Sequence, residues 1–140
     1  MGQLLLVAAR AAQALALERL EPLGLSPRGW SVLSTLVELG SLTQIQLANT
    51  LSIDRTAMVY LLDELEEAGL VERLRNPDDR RSFLIRLTAA GRQLQRKAAR
   101  QLASQTETLL EPLDKVERAQ FLEYLGRVTN RWQELSAHRD

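Results

Sequence analysis

The sequence predicts a mainly α-helical fold carrying one small β-hairpin, and three observations support that prediction. Apolar residues recur at three- and four-residue spacing over most of the 140 residues. Only two short runs, 70–75 and 82–88, read as strands: Phe83, Ile85 and Leu87 alternate with Leu84 and Arg86, and Asn76-Pro77-Asp78-Asp79 between the runs is strong turn chemistry. Helix start and stop signals punctuate the remainder. Ser26-Pro27, Thr43-x-x-Gln46, Thr88 and Asp114-x-x-Glu117 open helices, while Gly40, Gly69 and Pro112 close them.

In chain order, the first helix is expected over about 3–20. Leu4, Ala8, Ala11 and Leu15 form its apolar stripe, with Arg10, Gln13, Glu18 and Arg19 off it. Small residues on such a stripe let another helix approach closely. Glu21 to Pro27 breaks the pattern with two prolines and a glycine. A second helix follows to about Leu39, with Trp30, Leu33, Leu36 and Val37 expected inward; Trp30 reads as core.

The Thr43–Gln46 capping box opens a short third helix, Gln44 to Leu51, with Ile45, Ala48 and Leu51 facing in. After a tight turn at Leu51-Ser-Ile-Asp54, a fourth helix runs to about Ala68 on the stripe Met58, Leu61, Leu62 and Leu65. Its other face presents Arg55, Thr56, Val59, Tyr60 and Asp63. The first turns hold groups able to meet base edges, whereas Asp63, Glu64, Glu66 and Glu67 crowd the far end, where phosphates would repel them. A helix that enters a major groove by its N-terminal end has this gradient. An ordinary amphipathic helix with a solvated face would read the same locally.

The hairpin then places Arg80 and Arg81 at a narrow tip, suited to the negative potential of a minor groove. Asp79 is expected to pair with a neighbouring arginine and hold its fork in place. Thr88 caps a long fifth helix to about Leu110, whose Arg92, Arg96, Lys97 and Arg100 read as a solvated face more than as phosphate contacts. On the sixth helix Phe121, Leu125, Val128, Trp132 and Leu135 make a heptad-like seam, which needs a partner helix. The first and last helices are therefore expected to pack across a two-fold axis, making a homodimer. The chain reads as one domain, 1–140. Dimerisation helices occupy about 3–20 and 114–136, a winged helix–turn–helix about 27–88, and a long connecting helix about 89–110.

Composition narrows the chemistry. With no cysteine and one histidine, His138 (read as a solvated tail residue), neither a thiolate metal site nor a catalytic dyad can be built, and no glycine-rich phosphate loop occurs. An enzyme, a cofactor and a metal are not expected. The charges balance at 18 basic and 18 acidic residues, yet residues 72–100 hold nine basic against three acidic. A neutral domain can thus present a phosphate-binding face. The apolar run Leu4–Ala9 lacks a basic leader and is interrupted at Arg10, and no stretch reaches the roughly 20 apolar residues of a membrane span. A cytoplasmic protein is expected.

Three stretches, LSPRGWSVLSTL, LTQIQLANTLSIDRTAMVYLLDELEEAGLVER and PDDRRSFLIRLTAAG, resemble the multiple-antibiotic-resistance regulator (MarR) family of winged helix–turn–helix proteins, and the order of elements does so over nearly the whole chain. The resemblance implies a dimeric transcriptional regulator on double-stranded, pseudo-palindromic DNA. It further implies repression relieved by a small, often aromatic, anionic effector bound between the DNA lobe and the dimer region. On this match Asp79 and Arg81 fill the family's Asp-x-Arg in the wing, with Arg81 entering the minor groove. Val59-Tyr60 stands where a polar residue followed by arginine is common, which removes a bidentate guanine reader and leaves an apolar contact and a phenol. Release by cysteine oxidation is closed by composition.

The candidate base readers are therefore Arg55, Thr56, Val59 and Tyr60. Gln44, Arg73, Arg75, Asp79, Arg80 and Arg81 are the candidate backbone and wing contacts. Leu4, Ala8, Ala11, Leu15, Phe121, Leu125, Val128 and Trp132 are the candidate dimer residues. Ligand-binding residues are not assigned. The competing expectation is a winged-helix module that binds protein instead of DNA, for which the recognition face should be acidic or apolar, whereas Arg55, Arg80 and Arg81 are basic.

Overall fold

The computed structural model describes residues 2–137; His138 lies outside the described residues. The elements are α1 (Gly2–Leu20), a 3-10 turn (Glu21–Leu23), α2 (Pro27–Leu39), β1 (Leu42–Thr43), α3 (Gln44–Leu51), α4 (Arg55–Glu67), β2 (Val71–Arg75), β3 (Phe83–Leu87), α5 (Ala89–Leu109) and α6 (Lys115–Ala137). The fold is mainly α with a small antiparallel sheet of order β1-β3-β2. The chain divides into two compact units, Met1–Ala103 and Ser104–Asp140.

Local chemistry sets the helix ends. The Ser26 hydroxyl accepts from the Gly29 N–H at 3.0 Å, and Pro27 occupies the first turn, where no N–H partner is needed. Thr43 and Gln46 close a reciprocal box, with Gln46 N–H donating to Thr43 Oγ1 (3.2 Å) and Thr43 N–H to Gln46 Oε1 (2.8 Å). One Asp54 carboxylate oxygen accepts from Thr56 N–H (2.9 Å) and Ala57 N–H (3.1 Å), so α4 begins on a fixed cap whose charge also favours the positive helix end. Asp114 and Glu117 do the same for α6. At the far end of α4, Gly69 takes φ +70°, which lets Leu70 N–H reach back to the Leu65 carbonyl at 2.9 Å and turns the chain into β2.

The core of the first unit is built from α2, α3, α4, the sheet and the start of α5. Val32, Leu33, Leu47, Met58, Leu62 and Ile85 are its fully buried large side chains, with Leu20 from the end of α1. Two inward assignments made from periodicity are corrected. Val37 is 50% exposed and Val32 is buried in its place; Ile45 is 52% exposed and Leu47 is buried. In both helices apolar residues flank the true stripe, and spacing alone does not separate them. Trp30 and Leu51 are half-buried against the same core.

β1, only two residues long, is an element without a signal in the sequence pattern. It pairs Leu42 with Ile85 and Thr43 with Leu84, joining the start of α3 to the hairpin. In the β2–β3 pair, Val71 lies opposite Leu87, Arg73 opposite Ile85 and Arg75 opposite Phe83. Cross-strand partners share a face, so one face runs from buried Val71, Leu87 and Ile85 to exposed Arg75 and Phe83 at the tip. On the other face, Glu72 and Arg86 pair at 2.9 Å.

The junction of wing and α5 is tight. Thr88 N–H donates to the Leu70 carbonyl (3.1 Å), and its hydroxyl donates to the Gly69 carbonyl (2.6 Å) and accepts from Gly91 N–H (3.0 Å). A Cβ on Gly91 would sit 2.0 Å from the Leu70 carbonyl oxygen. The glycine is required by that close approach of the helix to the Leu70 carbonyl, just before β2.

Candidate nucleic-acid interface

α4 presents Arg55, Thr56, Val59 and Tyr60 to solvent on the side away from its buried Met58, Leu61, Leu62 and Leu65. The positions follow from helix geometry: residues one, four and five after Arg55 share a face. The Asp54 cap holds the first turn, so these side chains project from a rigid base. Gln44 sits at the first position of α3. With Thr43, Ile45, Arg81 and Phe83 it lines one groove, which places the start of α3 beside the wing. Ile45 and Phe83 are the exposed apolar members of this groove, and no local pattern distinguishes them from core residues.

The wing tip is ordered by its own polar side chains. Asn76 Oδ1 accepts from Asp78 N–H (3.0 Å), and Asn76 Nδ2 donates to Ser82 Oγ (2.9 Å). Asp79 Oδ1 accepts from the Arg81 backbone N–H at 3.0 Å. Such turns give the backbone a preferred bend without a hydrophobic anchor. Here the expectation for Asp79 is corrected. Its carboxylate shapes the loop through the Arg81 main chain and grips no guanidinium among the described residues. Arg55, Arg75, Arg80 and Arg81 are exposed, and their guanidinium groups have no carboxylate partner among the described residues.

Arg73 differs from the expected phosphate contact. Its guanidinium donates to Asp63 Oδ1 at 2.6 Å and to Glu66 Oε2, both on α4, and its backbone N–H donates to Glu66 Oε1 at 3.3 Å. The side chain is 23% exposed. Partial burial opposes its charge, but the two carboxylates outweigh that cost and hold its pKa above the ordinary arginine value. Asp63 and Glu66 lie one turn apart, on the half of α4 nearest the hairpin, and that pairing was the available signal for a compensating cation. On α5, Arg92 donates to the Leu87 carbonyl (2.9 Å), while Arg96, Lys97 and Arg100 stand on an exposed face with Gln93.

The candidate dimer residues are described within their own units. On α1, Leu4 (76% exposed) and Ala8 are open to solvent, and Ala11 and Leu15 are half-buried. On α6, Phe121, Leu125, Val128 and Trp132 are all exposed in the single chain.

The geometry comprises a helix–turn–helix with a capped second helix, a polar-braced wing, and on both of them arginines without a carboxylate partner among the described residues. Comparisons with known proteins agree with it. The sequence profile of the MarR family matches residues 25–83. The multiple antibiotic resistance protein MarR of Escherichia coli is 38% identical over 74 residues, covering 53% of this chain and 51% of that protein, so the chain spans about half the length of this curated relative. Among solved structures, the transcriptional repressor CouR bound to a 23-mer DNA duplex superposes with a TM-score of 0.85 at 33% identity, covering 92% of each chain. A cysteine-to-serine mutant of E. coli MarR complexed with operator DNA gives 0.81 at 29% identity, covering 91% of each. By its sequence, its order of elements and its wing, the chain belongs to the MarR family.

Proposed function

We propose that this protein is a sequence-specific DNA-binding transcriptional regulator that acts as a homodimer. The observation that carries the reading is the set of exposed guanidinium groups, without a carboxylate partner among the described residues, on two elements suited to reach DNA differently: Arg55 on the first turn of α4 and Arg80 and Arg81 on the wing. In it α4 lies in a major groove, where Arg55, Thr56, Val59 and Tyr60 read base edges: Val59 suits a thymine methyl, and Tyr60 a phosphate or base edge. Arg81, with Arg80, enters the neighbouring minor groove, and Gln44 and Arg75 contact the backbone. The exposed apolar residues of α1 and α6 support a two-fold dimer, whose recognition helices would lie about 10 bp apart on a pseudo-palindromic site.

Repression is the outcome favoured by the relatives, since CouR is itself a transcriptional repressor. A small aromatic or anionic effector would relieve it by favouring dimers whose two α4 helices are wrongly spaced, a shift of population between two states. The relatives are regulators, and we read this chain as non-enzymatic. It would act in the cytoplasm, where its DNA is; no helix among the described residues is long and apolar enough to cross a membrane.

Selection of bound duplexes from a randomised pool tests the reading. A two-fold symmetric consensus with half-sites about 10 bp apart is expected. Recovery of sequences without symmetry or enrichment would overturn it.

A further inference from the structure

Asp63 stands three and four residues after Tyr60 and Val59, at the next step along the proposed base-reading face of α4. Glu66 is one turn further. Both carboxylates bind one guanidinium, that of Arg73, which comes from β2, the first strand of the wing. Glu66 also accepts the Arg73 backbone N–H, so the same carboxylate holds the strand's main chain as well as the guanidinium. Arg73 faces the core side beside Ile85, while the tip two residues beyond it carries exposed Arg75. A planar fork bridging two acceptors fixes direction as well as distance, which a point charge does not.

We propose that Arg73 is a positioning residue for DNA recognition. Its clamp on Asp63 and Glu66 sets the angle between the helix that enters the major groove and the wing that enters the minor groove. It thereby selects duplexes whose two grooves present their contacts at that separation. The inference rests on the DNA-binding reading and adds to it. In this role Arg73 touches no phosphate, and the acidic end of α4 becomes part of the recognition apparatus instead of a surface that merely avoids DNA.

The two roles open to Arg73 predict opposite signs for one variant. Removing the carboxylates in Asp63→Asn/Glu66→Gln makes the surface next to DNA more positive. Simple electrostatics then requires tighter binding. The clamp requires weaker binding to the selected duplex, by roughly ten-fold, with little change on a scrambled duplex that needs no two-groove register. Both substitutions are nearly isosteric and lie on exposed side chains, so the fold is kept even if Arg73→Ala is not stable.

The experiment is fluorescence anisotropy on the full-length protein with a duplex selected by the wild type from a random pool, and with its scrambled counterpart, at several salt concentrations. Arg73→Ala is expected to lose affinity for the selected duplex with its salt slope unchanged. Combining it with the carboxylate variant should cost no more than either alone, and Arg73→Lys, able to serve one carboxylate, should fall between. The proposal is overturned if the carboxylate variant binds as tightly as wild type or tighter. A drop of about one in the salt slope of Arg73→Ala, the signature of a lost phosphate contact, also overturns it. Failure of the wild type to discriminate the two duplexes would instead sink the DNA-binding reading itself.

Discussion

Replacing Gly91 by alanine tests the junction that seats the wing. The added Cβ would lie 2.0 Å from the Leu70 carbonyl oxygen and 3.0 Å from a Leu87 methyl carbon, against an ordinary contact of 3.4 Å or more. The first obstacle is backbone, which cannot rotate away as a side-chain tip can. α5 must therefore move from the Leu70 backbone, just before β2, by more than an ångström. That motion breaks the bond from Thr88 N–H to the Leu70 carbonyl and disturbs the Thr88 hydroxyl between Gly69 and Gly91. Two hydrogen bonds at about 1 kcal/mol each, plus loosened packing around Leu87, give a loss of about 3 kcal/mol. For a chain of this length that corresponds to a fall in Tm of roughly 10 °C. Thermal unfolding followed by circular dichroism measures it. A variant melting within about 2 °C of wild type would refute the claim that this contact is sterically closed.

Other substitutions probe separate parts of the account. Asp54→Ala removes the acceptor of two α4 N–H groups and should cost about 1 kcal/mol in urea unfolding, with weaker DNA binding because the reading face loses its fixed end; unchanged stability would show that the cap is not used. Arg81→Ala should weaken binding to the operator and lower its salt slope by about one, because one exposed guanidinium leaves the groove. Undiminished binding would count against the wing assignment. Leu125→Glu places a charge in the exposed apolar face of α6 and should convert the proposed dimer to monomer in sedimentation velocity, with loss of DNA affinity. A dimer of unchanged mass would move the interface elsewhere.

The range over which each interaction acts decides how legible it is in the sequence. Caps at Ser26, Thr43, Thr88 and Asp114 act within three residues, and so do the glycine at 69 and the Asn76–Asp79 turn; all are readable as short motifs. The stripe of α4 is legible because four buried leucine and methionine side chains fall on one face over about two turns. Faces on α2 and α3 are less so: Val37 and Ile45 stand beside apolar positions that are buried, and only tertiary contacts decide that Val32 and Leu47 lie inward instead. β1 is too short to show a period and exists because Leu42 and Thr43 meet β3. The same limit explains Arg73. Its positive charge in a basic stretch suggests phosphate, but its partners lie seven and ten residues away on another element. Asp79 is expected near an arginine and is found there, though through the Arg81 main chain. The need for Gly91 likewise arises from Leu70, more than twenty positions earlier.

The most direct test of the central claim is the affinity of the full-length protein for the DNA upstream of its own gene, measured by fluorescence anisotropy against a scrambled duplex over a salt series. Selective binding is expected, falling steeply, by roughly 10³-fold between 50 and 200 mM salt for a dimer making six or more phosphate contacts. Equal, weak binding to both duplexes with a shallow salt slope would contradict it.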